Sequence, residues 1–251
     1  MKASEKDEVK QKIPSIKELR EICQPKKEYW PWRDKFLRGV SIYITKPLLY
    51  TKITPNDVTW LMLIVGIVAA EFYAIGGYFY TMIGLFLHHF SFILDAVDGE
   101  IARYTKKTSM KGVYLDLMSH VILQPLLIMG IAIGVWRNNL WEIPDVTFLF
   151  LGFIGAYSLL MLNFIRVKKY EMFVKKEDFK TLKKMDKKYK EEPSWLRNEI
   201  LFLASFEIFN LMFFFTVLNL LHYLVIIYAV IFTLYAIIKF YMSYKYFDRT
   251  W

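Results

Sequence analysis

The chain carries a single cysteine, Cys23, which excludes an internal disulfide and a cysteine-built metal cluster. In a cytoplasmic arm it would be a free thiol. Glycine and proline are sparse, 11 and 8 among 251 residues, and no apolar run is clearly broken at its middle by either. Such breaks mark the binding sites of many transporters. There is no internal repeat and no low-complexity tract. Residues 1–35 are polar and charged, so no secretory signal peptide opens the sequence. The first membrane span is then expected to act as its own insertion signal.

What the chain has in abundance is apolar length. Hydrophobic residues make up 55% and aromatic residues 18%, too apolar a mixture for an ordinary soluble domain. They gather in runs near 20 long, enough to cross a bilayer. Six spans are expected: Val58–Gly77, Phe79–Ala96, Val113–Trp136, Val146–Ile165, Ile200–Leu218 and Leu221–Tyr241. His88 and His89 interrupt the second. The expected fold is all-α, an integral membrane bundle of six transmembrane helices with an N-terminal interfacial amphipathic helix.

Charge orients this bundle. Of the 33 Lys and Arg, 13 lie in the arm through Lys52, four in 103–111, 12 in 166–197 and three from Lys239 onward. The connections on the other side carry one, Arg137. Such a 32-to-1 split places both termini and the 103–111 loop in the cytoplasm. The net charge of +9 then reads as contact with anionic lipid headgroups, with no nucleic acid as partner. Aromatic and basic residues do alternate in K-K-E-Y-W-P-W-R-D-K, a pattern also compatible with single-strand binding. Beside a membrane span, Trp30, Trp32 and Arg33 are more simply an interfacial anchor.

Two regions follow from this patterning, a polar arm over 1–33 and a membrane domain over 34–251. Residues 1–14 are rich in Lys and Glu and read as disordered. Ser15 and Glu18 have capping-box spacing, which predicts a short helix from Ser15 to Cys23 ended near Pro25. From Asp34 to Ile44, Phe36, Leu37, Val40 and Ile44 recur at helical spacing among basic residues, which predicts the interfacial helix. In T-P-N-D-V-T, Thr54 is a candidate cap with Pro55 at the first helical position. Within 166–197, Val167, Tyr170, Phe173 and Val174 recur at helical spacing, so part of that basic stretch extends the fourth span or lies on the membrane. At about 30 residues it is too short for a domain of its own.

The chemistry concentrates where the second and third spans meet, in D-A-V-D-G-E-I-A-R followed by G-V-Y-L-D. Asp95, Asp98 and Asp116 fall within 22 residues. A carboxylate at the centre of a membrane helix costs about 2.5–3.5 kcal/mol on insertion scales. Three of them spaced by helical turns point to a shared cation. On a helix, Asp95, Asp98 and Ala102 share a face, with Gly99 and Arg103 beside them; Gly112, Asp116 and His120 form a second stripe. The short loop Tyr104–Lys111 would make the two helices antiparallel, with the stripes facing across a cleft. Carboxylate oxygens suit Mg²⁺ or Mn²⁺, as one or two ions. Gly99, Ala102 and Gly112 leave the backbone open to a ligand; taken alone they would read first as close helix packing, and it is the three aspartates in register that favour the ligand.

This segment resembles the signature of the CDP-alcohol phosphotransferases (also called CDP-alcohol phosphatidyltransferases), D-x2-D-G-x2-A-R-x8-G-x3-D-x3-D. Seven of the eight fixed positions match without a gap: Asp95, Asp98, Gly99, Ala102, Arg103, Gly112 and Asp116. At ordinary residue frequencies a chance match this good is on the order of one in 10⁵ or less. The eighth position departs, with His120 where the family has a fourth Asp. The T-P-N-x-x-T opening is also met before the first span of many members.

The resemblance implies a homodimeric membrane enzyme of phospholipid biosynthesis. Such enzymes transfer a substituted phosphate from a CDP-linked alcohol to an alcohol acceptor, releasing CMP, and at least one of the two partners carries a lipid. By that resemblance Asp95, Asp98 and Asp116 would bind metal, with His120 as a further ligand. Asp95, Asp98, Gly99, Ala102, Arg103 and Gly112 would line the CDP pocket, and Ser109 would add a polar contact. Asp116 and His120 would form the catalytic centre. The family's last Asp takes the proton of the acceptor, and a neutral imidazole can do so at neutral pH. Arg166, at the cytoplasmic end of the fourth span, is a candidate phosphate contact for the acceptor, though it also reads as a positive-inside anchor.

His88 lies seven residues before Asp95 on the same face and reads as a bundle histidine that could support the site. Glu71, Asn163, Glu207, Asn210 and Lys239 are further polar residues in or near spans, where such groups are functional suspects. Two other classes compete with the enzyme: an ion or solute transporter, and a catalytically inactive nucleotide-binding relative. Transport sites favour the membrane midplane, whereas the acids here cluster at one edge. His120 is the feature that leaves an inactive relative open.

Overall fold

The structure, a computed structural model, describes residues 13–24, 32–138, 146–174 and 211–248. The side chains of 32–34, 166–174 and 246–248 fall outside that description. The described residues form eight helices and no strand. They are α1 (Ile16–Cys23), α2 (Trp32–Leu48), α3 (Pro55–Ile75), α4 (Tyr78–Thr105), α5 (Met110–Arg137), α6 (Val146–Val174), α7 (Met212–Val217) and α8 (Leu221–Asp248). The chain divides into two compact units. One is drawn from Met1–Met62 and Phe92–Leu115, the other from Leu63–Ser91 and Asp116–Trp251.

In the first unit, α1 starts as its sequence predicts. The Glu18 amide donates to Ser15 Oγ at 3.3 Å and the Ser15 amide to Glu18 Oε2 at 2.8 Å. This reciprocal pair satisfies two amides that the first turn of a helix otherwise leaves open. Those bonds hold the Glu18 carboxyl below its ordinary range. The apolar face of α1 puts Leu19 and Cys23 against Ile42 of α2, all three sealed from solvent. The amphipathic segment predicted over 34–44 is the centre of the longer α2. Thr54 opens α3, with its Oγ1 accepting from the Asp57 amide at 3.3 Å and its own amide donating to Asp57 Oδ2 at 2.8 Å. Pro55 then takes the first helical position, where its missing N–H costs nothing.

The second unit is built by close approach. Gly130 and Gly134 on α5 lie so tight against α3 that an added Cβ would run into the carbonyl oxygens of Ala70 and Tyr73. Without a hydrophobic drive between lipid-facing helices, such van der Waals contact is a main source of association. α6 and α8 pack along each other, Gly155 beside the Ala229 backbone and Ser158 Oγ 2.9 Å from Thr233 Oγ1. Tyr73, Phe148, Leu224 and Tyr228 fill its core. Gly76 and Gly77, at φ 75° and 76°, make the turn from α3 to α4 in backbone space that other residues rarely adopt.

Five helices are long and apolar enough to cross a membrane: Pro55–Ile75, Tyr78–Thr105, Met110–Arg137, Val146–Ile165 and Leu221–Lys245. They answer five of the six expected spans. The remaining one, Ile200–Leu218, lies mostly outside the described residues, which show only α7 within it. The expectations for 1–12, Pro25, Trp30, 175–197, Glu207 and Asn210 also lie outside them, as do the side chains of Trp32, Arg33 and Arg166. α4 runs nine residues beyond the end of the apolar span expected at Ala96, and the signature is helical through Arg103, as its spacing predicts. α6 likewise continues past Ile165 to Val174, which is the first of the two outcomes its helical spacing allowed.

Candidate functional site

Asp95, Asp98, Gly99, Ala102 and Arg103 all lie on α4, and Gly112, Asp116 and His120 all lie on α5, so each stripe predicted from spacing is one helical face. The first unit holds all of them but two; Asp116 and His120 belong to the second.

Asp98 is the most enclosed of the three signature aspartates, at 9% exposure. Its Oδ2 accepts from Thr59 Oγ1 at 2.6 Å, a short bond between two buried groups. Thr59 stands on the first turn but one of α3, so the T-P-N-D-V-T segment does more than cap. Asn56, in the first turn of α3, stands close to Gly112: a Cβ there would come within 2.9 Å of its Oδ1 and 3.3 Å of Ser109 Oγ. Ser109 Oγ accepts from the Gly112 amide at 3.0 Å and so caps the start of α5. Gly99 has no side chain to fend off Arg103, whose two terminal nitrogens lie 3.1 Å from where a Cβ would stand. The guanidinium rests over bare backbone. Its Nε donates to the Cys23 carbonyl at the end of α1.

In the second unit, His120 Nε2 lies 3.4 Å from Asp116 Oδ1, one turn apart on α5. Asp116 Oδ1 is closed to solvent and accepts no hydrogen bond among the described residues. A carboxyl oxygen closed to water that accepts no hydrogen bond is costly unless a cation meets it, whether a protonated imidazole or a metal ion. Asp116 and His120, both half-buried, offer a carboxylate and an imidazole one turn apart. That donor set fits Mg²⁺ or Mn²⁺ in its oxygens and admits a transition metal through its nitrogen.

The other polar residues singled out in the sequence stand as follows. His88 is buried on α4, and Asn163 is buried on α6. Glu71 is exposed on α3, and the Lys239 ammonium lies 5.7 Å from the Tyr235 ring centroid. Arg166 is the first residue of α6 beyond its apolar span. Glu100 was not legible as a site residue, yet it is wholly buried. Its Oε1 accepts from Gln24 Nε2 at 2.8 Å and Ser41 Oγ at 2.7 Å, and its Oε2 from Thr45 Oγ1 at 2.6 Å. Its one sequence signal is an acid placed between signature residues, beside Gly99.

A multi-pass membrane protein with an acid-rich, glycine-lined helical segment is thereby defined. Residues 52–235 match the CDP-alcohol phosphatidyltransferase family, and the chain belongs to that family. It is similar to proteins named bifunctional IPC transferase and DIPP synthase. The Archaeoglobus fulgidus protein is 38% identical over 82 residues, 33% of this chain and 16% of its own length. That of Aquifex aeolicus is 38% identical over 79 residues, 32% of this chain and 17% of its own. The Thermococcus kodakarensis protein is 35% identical over 83 residues, 32% of this chain and 17% of its own. The match thus spans about a sixth of each relative's length.

Proposed function

We propose that this chain transfers a substituted phosphate group from a CDP-linked alcohol to a second alcohol, releasing CMP, in phospholipid synthesis at the cytoplasmic membrane surface. The observation that carries the reading is the seven-residue signature laid on single faces of α4 and α5, with Asp98 held by Thr59. Family membership over residues 52–235 supports the same reaction class. The 32-to-1 distribution of basic residues supports the cytoplasmic orientation.

Asp95, Asp98, Asp116 and His120 would hold one or two divalent ions, which supply charge compensation at the diphosphate when bound. Arg103 would rest its guanidinium against the diphosphate over Gly99, and Ala102, Ser109 and Gly112 would line the rest of the CDP pocket. His120 would accept the proton of the acceptor hydroxyl as that oxygen bonds to the phosphorus distal to cytidine. The bond from that phosphorus to the bridging oxygen breaks, and CMP leaves. Arg166 would meet a phosphate of the acceptor, and two copies of the chain would form the working unit by family analogy.

His120 favours a second reading, a relative that binds nucleotide without turnover. Mass spectrometry separates the two. Purified protein with Mg²⁺ or Mn²⁺ and a panel of CDP-alcohols and acceptors should yield CMP and a matched phosphodiester. The same panel with Asp98→Asn should not. CMP release by that variant at the wild-type rate would overturn the assignment.

A further inference from the structure

Glu100 lies between two signature residues on α4, and none of the proposed chemistry uses it. It is a carboxylate at 0% exposure whose three donors come from outside α4: Gln24 just past α1, and Ser41 and Thr45 on α2. Gln24 Nε2 also donates to the Arg38 carbonyl at 2.8 Å, so the same amide ties α2 to the end of α1. One residue before Gln24, the Cys23 carbonyl accepts from Arg103 Nε. The last carbonyls of a helix have no partner within it and favour a cation. Arg103 is that cation, and its fork is thereby turned over Gly99.

We infer that Glu100 is a positioning residue: it seats the end of α1 on α4 so that the Cys23 carbonyl holds the Arg103 guanidinium over Gly99. This role rests on the transferase reading, because the held guanidinium is what the diphosphate of a CDP-alcohol would meet. α1 and α2 then form part of the nucleotide site and are more than a membrane anchor. A carboxylate gathering two donors from α2 and one from the residue that follows α1 suits the purpose, since each bond to a charged acceptor is stronger than one to a neutral acceptor.

Cys23 makes the seating measurable without any turnover. It is the chain's one cysteine and is sealed between α1 and α2, so maleimide labelling of the whole protein in detergent reports whether α1 is docked. Glu100→Ala should speed labelling by about tenfold or more and weaken equilibrium binding of CDP by about tenfold, the worth of one bond to a charged group. With turnover, KM for the CDP-alcohol should rise by the same factor while kcat changes less than about threefold, since the proton-accepting residues are untouched. Glu100→Gln keeps one acceptor oxygen for Gln24 and Ser41 but loses the charge and the acceptor of Thr45, so it should label at a rate between those of wild type and Glu100→Ala. Gln24→Ala, which removes one donor and leaves Glu100 in place, should label faster than wild type, and it reads the same contact if Glu100→Ala does not fold. Fast labelling with unchanged CDP affinity would overturn the inference, because α1 would then have no hold on Arg103. Unchanged labelling in both Glu100→Ala and Gln24→Ala would overturn it at the seating itself. Should wild type release no CMP with any substrate, the transferase reading fails, while labelling and CDP affinity still decide this role.

Discussion

Replacing Thr59 with Val removes one hydroxyl and almost no volume. Thr59 is 3% exposed, Asp98 9%, and their oxygens stand 2.6 Å apart. The same hydroxyl lies 3.1 Å from the Pro55 carbonyl, but it has a single proton, and the shorter contact to a carboxylate is the stronger acceptor. A hydrogen bond to a charged group is worth about 1.5–3 kcal/mol, or roughly 10–150-fold in an equilibrium. That energy orients a carboxylate proposed to bind metal, so it should appear in metal affinity more than in the chemical step. Loss of a partner behind a metal ligand typically weakens the metal about 10–100-fold. CMP release followed against Mn²⁺ concentration should therefore show the half-saturating concentration of Thr59→Val raised by that factor, with the maximal rate recovered at saturation. A Mn²⁺ curve superimposable on wild type, or a lost maximal rate with no shift in the curve, would sink the claim that Thr59 orients Asp98 for an ion.

His120→Ala should lose turnover about 10²–10⁴-fold while CDP still binds, and His120→Asp should retain turnover with its acid limb moved from the imidazole towards the carboxylate range; wild-type rates in His120→Ala would place the base elsewhere. Gly134→Ala, whose Cβ meets the Tyr73 carbonyl, should destabilise the second unit by about 1–3 kcal/mol, and an unchanged melting temperature in detergent would show that α3 and α5 can part without cost. Burial, with the Glu100 carboxylate adding to it, pushes the Cys23 thiol from 9.0 up to about 11. A raised thiol pKa keeps its stabilising effect below pH 9.0 and loses it as pH climbs through about 11, so native labelling should stay slow at pH 8 and rise steeply only across that window; fast labelling at pH 8 would refute the docked α1. Cysteines placed singly at 137–145 should react from outside the cell and those at 104–111 or 175–190 from inside, and the reverse pattern would overturn the orientation.

Local rules carried far along this chain. Apolar run length placed α3, α4, α5, α6 and α8, because a membrane helix must satisfy its own backbone and needs only enough apolar residues to do so. Capping chemistry placed the starts of α1 and α3, each resolved within four residues of sequence. The apolar run ends at Ala96, yet α4 continues to Thr105: hydropathy falls where the charged signature begins, and it was the helical spacing of Asp95 to Arg103 that carried the helix past that point.

The signature residues and their shared faces are determined by the sequence alone, since helical periodicity fixes each position's direction relative to its own axis. Which distant group each of them meets was decided only by the tertiary structure. Thr59 reaches Asp98 across 39 positions, Gln24 reaches Glu100 across 76, and Arg103 reaches Cys23 across 80. No local pattern records such pairs, because they form only when whole helices dock, and docking is set by the summed fit of many side chains. Glu100 is the sharpest case: in the sequence it is one acid among others, and only the folded chain gathers three donors around it.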